Sequence, residues 1–326
     1  MPGPLMIIGG AEDKLRKRRI LKEFVAAAGG LDARIAVIPT ASSLGPEIVD
    51  VYDALFRAEG AAEVMEVRPR TREEAGDPDL VKRISEATGV FMTGGNQLKL
   101  SATICGTPVG DAIVEAHRRG VVVAGTSAGA SIQSSHMVAF GVGGATPRQR
   151  MTQVAAGLGL LESTVIDQHF AQRNRYGRLL MIVSQSPSLL GLGIDEDTAA
   201  VVETDVDGHE VLRVLGRGAV TIMDPGALVT NAYEAKRSAP ILASGIVLHV
   251  LPQGARFDLT TRSLLPAEQT VDPQEAEEIA EAGRDLQQMA RDIAAADASP
   301  TSLRRRLIRS RVARQALRND TDEETR

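Results

Sequence analysis

The residues best suited to chemistry are the run Gly125-Thr126-Ser127-Ala128-Gly129. A serine hydroxyl is a weak nucleophile unless it is exposed, oriented and next to a base. The apolar run Val121-Val122-Val123-Ala124 precedes it and an alanine-rich stretch follows. That context predicts a sharp strand-to-helix turn with Ser127 at its apex. The small flanking residues let strand and helix approach, and the backbone N–H of Ala128 faces a developing oxyanion. A second oxyanion donor is expected from Thr93-Gly94-Gly95-Asn96-Gln97, another strand end. Strand ends of an open parallel sheet share one edge. There Gly94 and Gly95 expose backbone N–H groups and Gln97 offers a side-chain amide.

A base and its orienting acid must come from elsewhere. Of the five histidines, His169 stands out, in Val165-Ile166-Asp167-Gln168-His169-Phe170. An apolar strand delivers it to a polar loop, where it can take a proton from Ser127 and return it to a leaving amine. His117, His209 and His249 read as structural, and His136, after the elbow helix, is less clear. The acid is expected in Gly193-Ile194-Asp195-Glu196-Asp197-Thr198, and pattern alone leaves Asp195, Glu196 and Asp197 open. Arg173, Arg175 and Arg178 follow the candidate base closely. Guanidinium groups bind carboxylates bidentately, so they suggest an anionic group on the substrate. Gly9-Gly10-Ala11-Glu12-Asp13 is a similar strand end, whose acids suit the first turn of the next helix.

The elements that position these residues alternate. Strands are predicted at Leu5–Ile8, Arg34–Pro39, Glu63–Val67, Val90–Met92 and Val121–Ala124. Helices are predicted over Leu15–Ala28, Pro46–Ala58, Asp79–Glu86, Gly110–Arg119 and from Ser127 onward. This order predicts an α/β fold with a mostly parallel central sheet and helices on both faces. Further strands are expected at Leu189–Ile194, Ala199–Thr204, His209–Leu215, Ala219–Met223 and Ile246–Leu251. A turn at Asp205-Val206-Asp207-Gly208 would make hairpin strands that join the same sheet. Residues 1–265 form the expected catalytic domain. Residues 266–326 are rich in Ala and Glu, then Arg, and read as a charged helical or partly disordered extension. A sharper reading makes that extension an arm for a partner subunit or a charged polymer.

Composition narrows the classes. Aromatic residues make up 3% and Trp is absent, so stacking platforms for single-stranded nucleic acid are not expected. The formal net charge of −5 makes nucleic acid and anionic membrane poor partners. Cys105 is the single cysteine, so no intrachain disulfide forms, and no Cys/His cluster has metal-site spacing. The N-terminus lacks a secretory pattern and no run spans a bilayer, so a cytoplasmic protein is expected.

Taken as an ordered set, these blocks resemble the cyanophycinase family, relatives of the aspartyl dipeptidases. The blocks are Ile7-Ile8-Gly9-Gly10-Ala11-Glu12-Asp13-Lys14, Ile38-Pro39-Thr40-Ala41-Ser42-Ser43, Thr93–Gln97, Gly125–Ala130, Asp167–Phe170 with Arg173, Arg175 and Arg178, and Gly193–Ala199. The resemblance implies Ser127 as nucleophile, His169 as base and Glu196 as third member. It implies exo-cleavage of cyanophycin, a poly-aspartate with arginine on each β-carboxyl, to β-Asp-Arg dipeptides. It places Gln97, Asp167, Gln168, Arg173, Arg175 and Arg178 on the substrate, with the arginines on aspartyl carboxylates and Asp167 on a substrate guanidinium. It further implies a homodimer without metal or organic cofactor. The alternative is an aspartyl dipeptidase or isopeptidase acting on other Asp-containing peptides.

Overall fold

Short aliphatic runs buried on both sides form the strands here, and amphipathic segments between them form the helices. The computed structural model describes residues 1–266. The extension expected over residues 266–326 lies outside the described residues, save for Pro266. The first half runs β1 (Leu5–Ile8), α1 (Arg19–Ala27), β2 (Arg34–Ile38), α2 (Glu47–Ala58), β3 (Glu63–Glu66), α3 (Pro78–Glu86), β4 (Gly89–Met92), α4 (Gln97–Ile104), α5 (Pro108–Arg118), β5 (Val122–Thr126) and the single turn α6 (Ala128–Ser131). The second half adds β6 (His136–Gly141), β7 (Thr152–Ala156), β8 (Thr164–Gln168), α7 (Tyr176–Gln185), β9 (Leu190–Ile194), β10 (Thr198–Thr204), β11 (Glu210–Gly216), β12 (Val220–Asp224), β13 (Val229–Thr230), β14 (Ala243–Ser244), β15 (Val247–Leu251), β16 (Arg256–Asp258) and β17 (Ser263–Leu265).

The fold is α/β with a mixed central sheet of nine strands, ordered β17-β16-β11-β10-β1-β5-β4-β2-β3. From β1 to β3 neighbouring strands are parallel; β10, β11, β16 and β17 extend the sheet antiparallel. Side chains alternate across it, as the two-residue period of a strand requires. Ile35 and Val37 join Phe24 and Phe56 beneath α1 and α2. Ala36 and Ile38 face the other way, with Ile84 of α3 and Ile113 of α5. Fully burying one such aliphatic side chain contributes roughly 1.5–3 kcal/mol.

The turn at Asp205–Gly208 joins β10 to β11 as the sequence predicts, and this hairpin extends the central sheet. By contrast, β9, β12 and β15 do not join that sheet. With β8 they form a second sheet, ordered β15-β12-β9-β8. Its Leu190, Leu192, Ile194, Val220 and Ile222 share one core with Ile7, Met92 and Ile113, so it covers part of the face that helices cover elsewhere. On its other side Val165 packs with Leu179 and Val183 of α7.

Three local differences bear on the site. Helix α1 starts at Arg19 rather than Leu15, because the Asp13 carboxylate accepts the backbone N–H groups of Leu15, Arg16 and Arg18 and holds that segment as a loop. Helices α3 and α5 start at Pro78 and Pro108, capped by the side chains of Asp77 and Thr107; proline fits a first turn because its missing N–H has no partner there anyway. The elbow helix α6 stops after one turn. Gln133 Nε2 donates to the carbonyls of Met6 and Gly129, and Ser134 Oγ to that of Ser131; such side-chain bonds compete with helix continuation.

Candidate active site

The strand ends of β1, β4, β5, β8 and β9 bring the chemistry together. Ser127 follows β5 with φ 53° and ψ −106°, a strained conformation for a residue with a β-carbon. Its N–H donates to the Ile8 carbonyl at 3.0 Å, which ties the turn to the end of β1. A β-carbon on Gly125 would lie 2.0 Å from the Gly129 carbonyl oxygen, so the close approach of strand and helix requires glycine there. Ala128 opens α6, and its N–H has no acceptor within that helix. In register, Gly125 pairs with Met92 at the end of β4, which sets the Gly94-Gly95 loop beside the elbow.

His169 follows β8 and also has a positive φ, 47°. Its Nε2 lies 3.0 Å from Ser127 Oγ, and its Nδ1 lies 2.6 Å from Glu196 Oε1. A carboxylate only accepts hydrogen bonds, so Nδ1 carries the proton and Nε2 is left to accept from the serine. Burial pushes the imidazole below its usual value; the Glu196 hydrogen bond opposes this, while Arg173 and Arg175 push it down further. Near neutral pH the ring is therefore uncharged, the form a general base needs.

Of the three neighbouring acids, Glu196 alone reaches the imidazole. Asp195 accepts the N–H groups of Ala171 and Ala219, and Asp197 accepts that of Asp13. His136 is exposed on β6, His209 pairs with Asp258 at 3.0 Å, and His249 packs on Phe257.

The Gly9-Gly10 strand end does more than start a helix. The Gly9 carbonyl accepts from His169 N–H at 2.8 Å and the Gly10 carbonyl from Asp197 N–H at 2.9 Å. Both loops of the relay are thus anchored on β1. Gly10 has φ 99°, and a β-carbon there would lie 2.3 Å from His169 Cε1. Glu12, expected in a helical first turn, instead turns inward and is 4% exposed. It accepts from Thr126 Oγ1, Tyr52 OH and Lys14 Nζ, each at 2.6 Å. Burial pushes this carboxyl up, but the Lys14 charge and the three hydrogen bonds outweigh it and leave it below the ordinary range. Its partner Thr126 immediately precedes Ser127.

The remaining expected residues fall into two groups. Gln97 and Arg175 line a cavity of about 460 Å³ with Gly95, Asn96, Phe140 and Arg178. Gln97 Nε2 donates to the Val138 carbonyl at 3.1 Å, and Gln168 Oε1 lies 3.5 Å from Ser127 Oγ while accepting from Arg175 Nη1 at 2.9 Å. Burial lowers the Arg175 guanidinium to about 10, with Asp167 opposing. Arg173 is exposed. Asp167, by contrast, is closed off. It is 0% exposed; Oδ2 accepts from Arg178 Nε at 2.5 Å, and Oδ1 accepts from Arg178 Nη2 and from Arg175 Nη1. Both its oxygens are taken, so it holds these arginines rather than facing a substrate guanidinium. Arg178 Nη1 donates to the Gly141 carbonyl at 3.0 Å. The β6–β7 ribbon over this cavity, which supplies Ala139, Phe140 and Gly141, has no counterpart in the sequence expectations. Among the described residues no group of His, Cys, Asp and Glu is placed to hold a metal ion, and no helix is long and apolar enough to cross a membrane.

An elbow serine on an α/β sheet, with an imidazole within hydrogen-bond reach, marks a serine hydrolase. Residues 5–207 match peptidase family S51, and the chain belongs to that family. Within it the chain is similar to cyanophycinases. It is 42% identical over 265 residues to the cyanophycinase of Nostoc sp. (strain PCC 7120), covering 81% of this chain and 88% of that one. It is 39% identical over 259 residues to the cyanophycinase of Geminocystis herdmanii, covering 79% and 94%. Among solved structures, a peptidase from an acI-B1 Actinobacterium has the same fold, with a TM-score of 0.52 at 24% identity over 76% of this chain and 98% of that one.

Proposed function

We propose that this peptidase hydrolyses cyanophycin from a chain end, releasing β-Asp-Arg dipeptides through an acyl-enzyme. The continuous relay Ser127–His169–Glu196 carries the reading, and the similarity to cyanophycinases supplies the substrate. Ser127 Oγ attacks a backbone carbonyl while His169 Nε2 takes its proton. The oxyanion is held by the N–H of Ala128 and by N–H groups of the Gly94-Gly95 loop. His169 then protonates the leaving amine, and the C–N bond breaks. Water activated by the same imidazole hydrolyses the ester and regenerates Ser127. Glu196 keeps Nδ1 protonated and stabilises the transient imidazolium.

On the substrate side, the cavity of Gln97 and Arg175 takes the unit to be released, and its volume suits a dipeptide-sized group. Gln168 bonds Arg175 of that cavity, and Arg173, exposed on the loop that follows His169, would meet a substrate carboxylate. Asp167 acts at one remove by fixing Arg175 and Arg178. The reading includes a homodimer in the cytoplasm.

Incubation with cyanophycin, with β-Asp-X dipeptides and with α-Asp-X dipeptides, read by mass spectrometry, tests the substrate. The proposal expects β-Asp-Arg from the polymer at a far higher kcat/KM than turnover of either dipeptide series. Turnover confined to the dipeptides would instead make the chain an aspartyl dipeptidase or isopeptidase.

A further inference from the structure

A second cavity, of about 870 Å³, opens at Glu196 and shares no lining residue with the cavity of Gln97 and Arg175. Its wall carries both signs of charge, but the two signs are not in the same condition. The acids are engaged: Asp13 accepts three backbone N–H groups, Asp197 accepts the N–H of Asp13, and Glu196 holds His169. Asp13 is accordingly held down to about 2 by its bonds to the Arg18 and Arg16 N–H groups. The cations Arg16, Lys17 and Arg217 have exposed side chains with no ion pair or side-chain hydrogen bond among the described residues. Arg19 bonds only the neutral Gln253.

Helix stability does not explain these cations. Arg16 and Lys17 lie in the loop that leads into α1 and Arg19 opens the helix, where the dipole favours acids, and the first turn contains none. A local rule broken without a local gain points to a functional requirement. Unpaired guanidinium and ammonium groups around a concave surface select carboxylates.

We propose that this cavity is a subsite for the polymer, taking free carboxylates of substrate units beyond the two that flank the cleaved bond. It rests on the proposed cyanophycin reading. In that polymer each arginine is joined through its α-amino group, which leaves its α-carboxylate free, so every repeat offers one such anion.

The test compares wild type with the triple variant Arg16→Ala/Lys17→Ala/Arg217→Ala on two substrates, cyanophycin and a two-unit (β-Asp-Arg)₂ peptide. Three exposed charge contacts predict that kcat/KM for the polymer, relative to that for the short peptide, falls by about tenfold at low salt. The difference should shrink in about 0.5 M salt, where surface charges are screened. An unchanged ratio, or an equal loss on both substrates, overturns the subsite. A wild type that cleaves neither substrate sinks the cyanophycin reading, and this subsite with it.

Discussion

Gly10 and His169 are in such close contact that a β-carbon on residue 10 would stand 2.3 Å from the imidazole Cε1. The glycine also has φ 99° and accepts the Asp197 N–H through its carbonyl. One small residue thus leaves room for the imidazole and anchors the turn that carries Glu196.

Gly10→Ala should therefore displace the imidazole from Ser127. The expected result is a fall in kcat of tenfold or more. The positive φ adds a stability loss on the order of 1–3 kcal/mol. Steady-state kinetics and urea unfolding check the two effects separately, and an unchanged kcat would contradict the assigned role.

The acid limb of kcat/KM should lie below the ordinary histidine value of about 6.5, because burial and the arginines hold His169 down. The base works only when neutral, so activity is lost as pH falls through this lowered value. Removing a nearby cation makes the imidazolium easier to form. Arg173→Gln should therefore shift the limb to higher pH, as read in a full pH–rate profile. A limb that stays in place would show that Arg173 does not act on the imidazole.

Asp167→Asn leaves two buried guanidinium groups without their counterion. Breaking a buried pair from one side costs about 3–5 kcal/mol. The double variant Asp167→Leu/Arg178→Met removes one guanidinium together with the carboxylate but leaves Arg175 without its counterion, so it should recover part of that loss. Chemical denaturation of the set measures it; equal losses in single and double variants would argue against a coupled pair.

Glu12→Gln should lower kcat about tenfold with little change in KM, because the Glu12–Thr126 bond holds the residue before Ser127, the proposed nucleophile. Disturbing its three buried hydrogen bonds should also cost about 1–3 kcal/mol. The sign of the pH dependence follows from the lowered carboxyl. The charge stabilises the fold above the unfolded value of about 4.3 and ceases to do so as pH falls through the lower folded value. The stability gap between wild type and Glu12→Gln should therefore narrow in acid. A gap constant from pH 7 into that range would contradict it.

Much of the fold and site is legible in the sequence where the determinant is local. The elbow at Gly125–Gly129 needs only small residues between a β-branched run and an alanine-rich turn. His169 is legible because an apolar strand ends in a polar loop. Glu196 cannot be separated from Asp195 and Asp197 by pattern, since the choice depends on the positive φ of Asp197 and its bond to the Gly10 carbonyl. Glu12 reads as an acid for a helix start, and its inward turn follows from Asp13 holding residues 15–18 as a loop. Strand pattern alone cannot assign β9, β12 and β15 to one sheet or another. Likewise, nothing in Met137–Phe140 distinguishes a strand of a ribbon from a buried helical segment.

The most direct test of the central claim is the release of soluble dipeptide from insoluble cyanophycin by wild type and by Ser127→Ala. The account predicts β-Asp-Arg from wild type and none above background from the variant. Release by both at similar rates would contradict Ser127 as the nucleophile, and release by neither would contradict cyanophycin as the substrate.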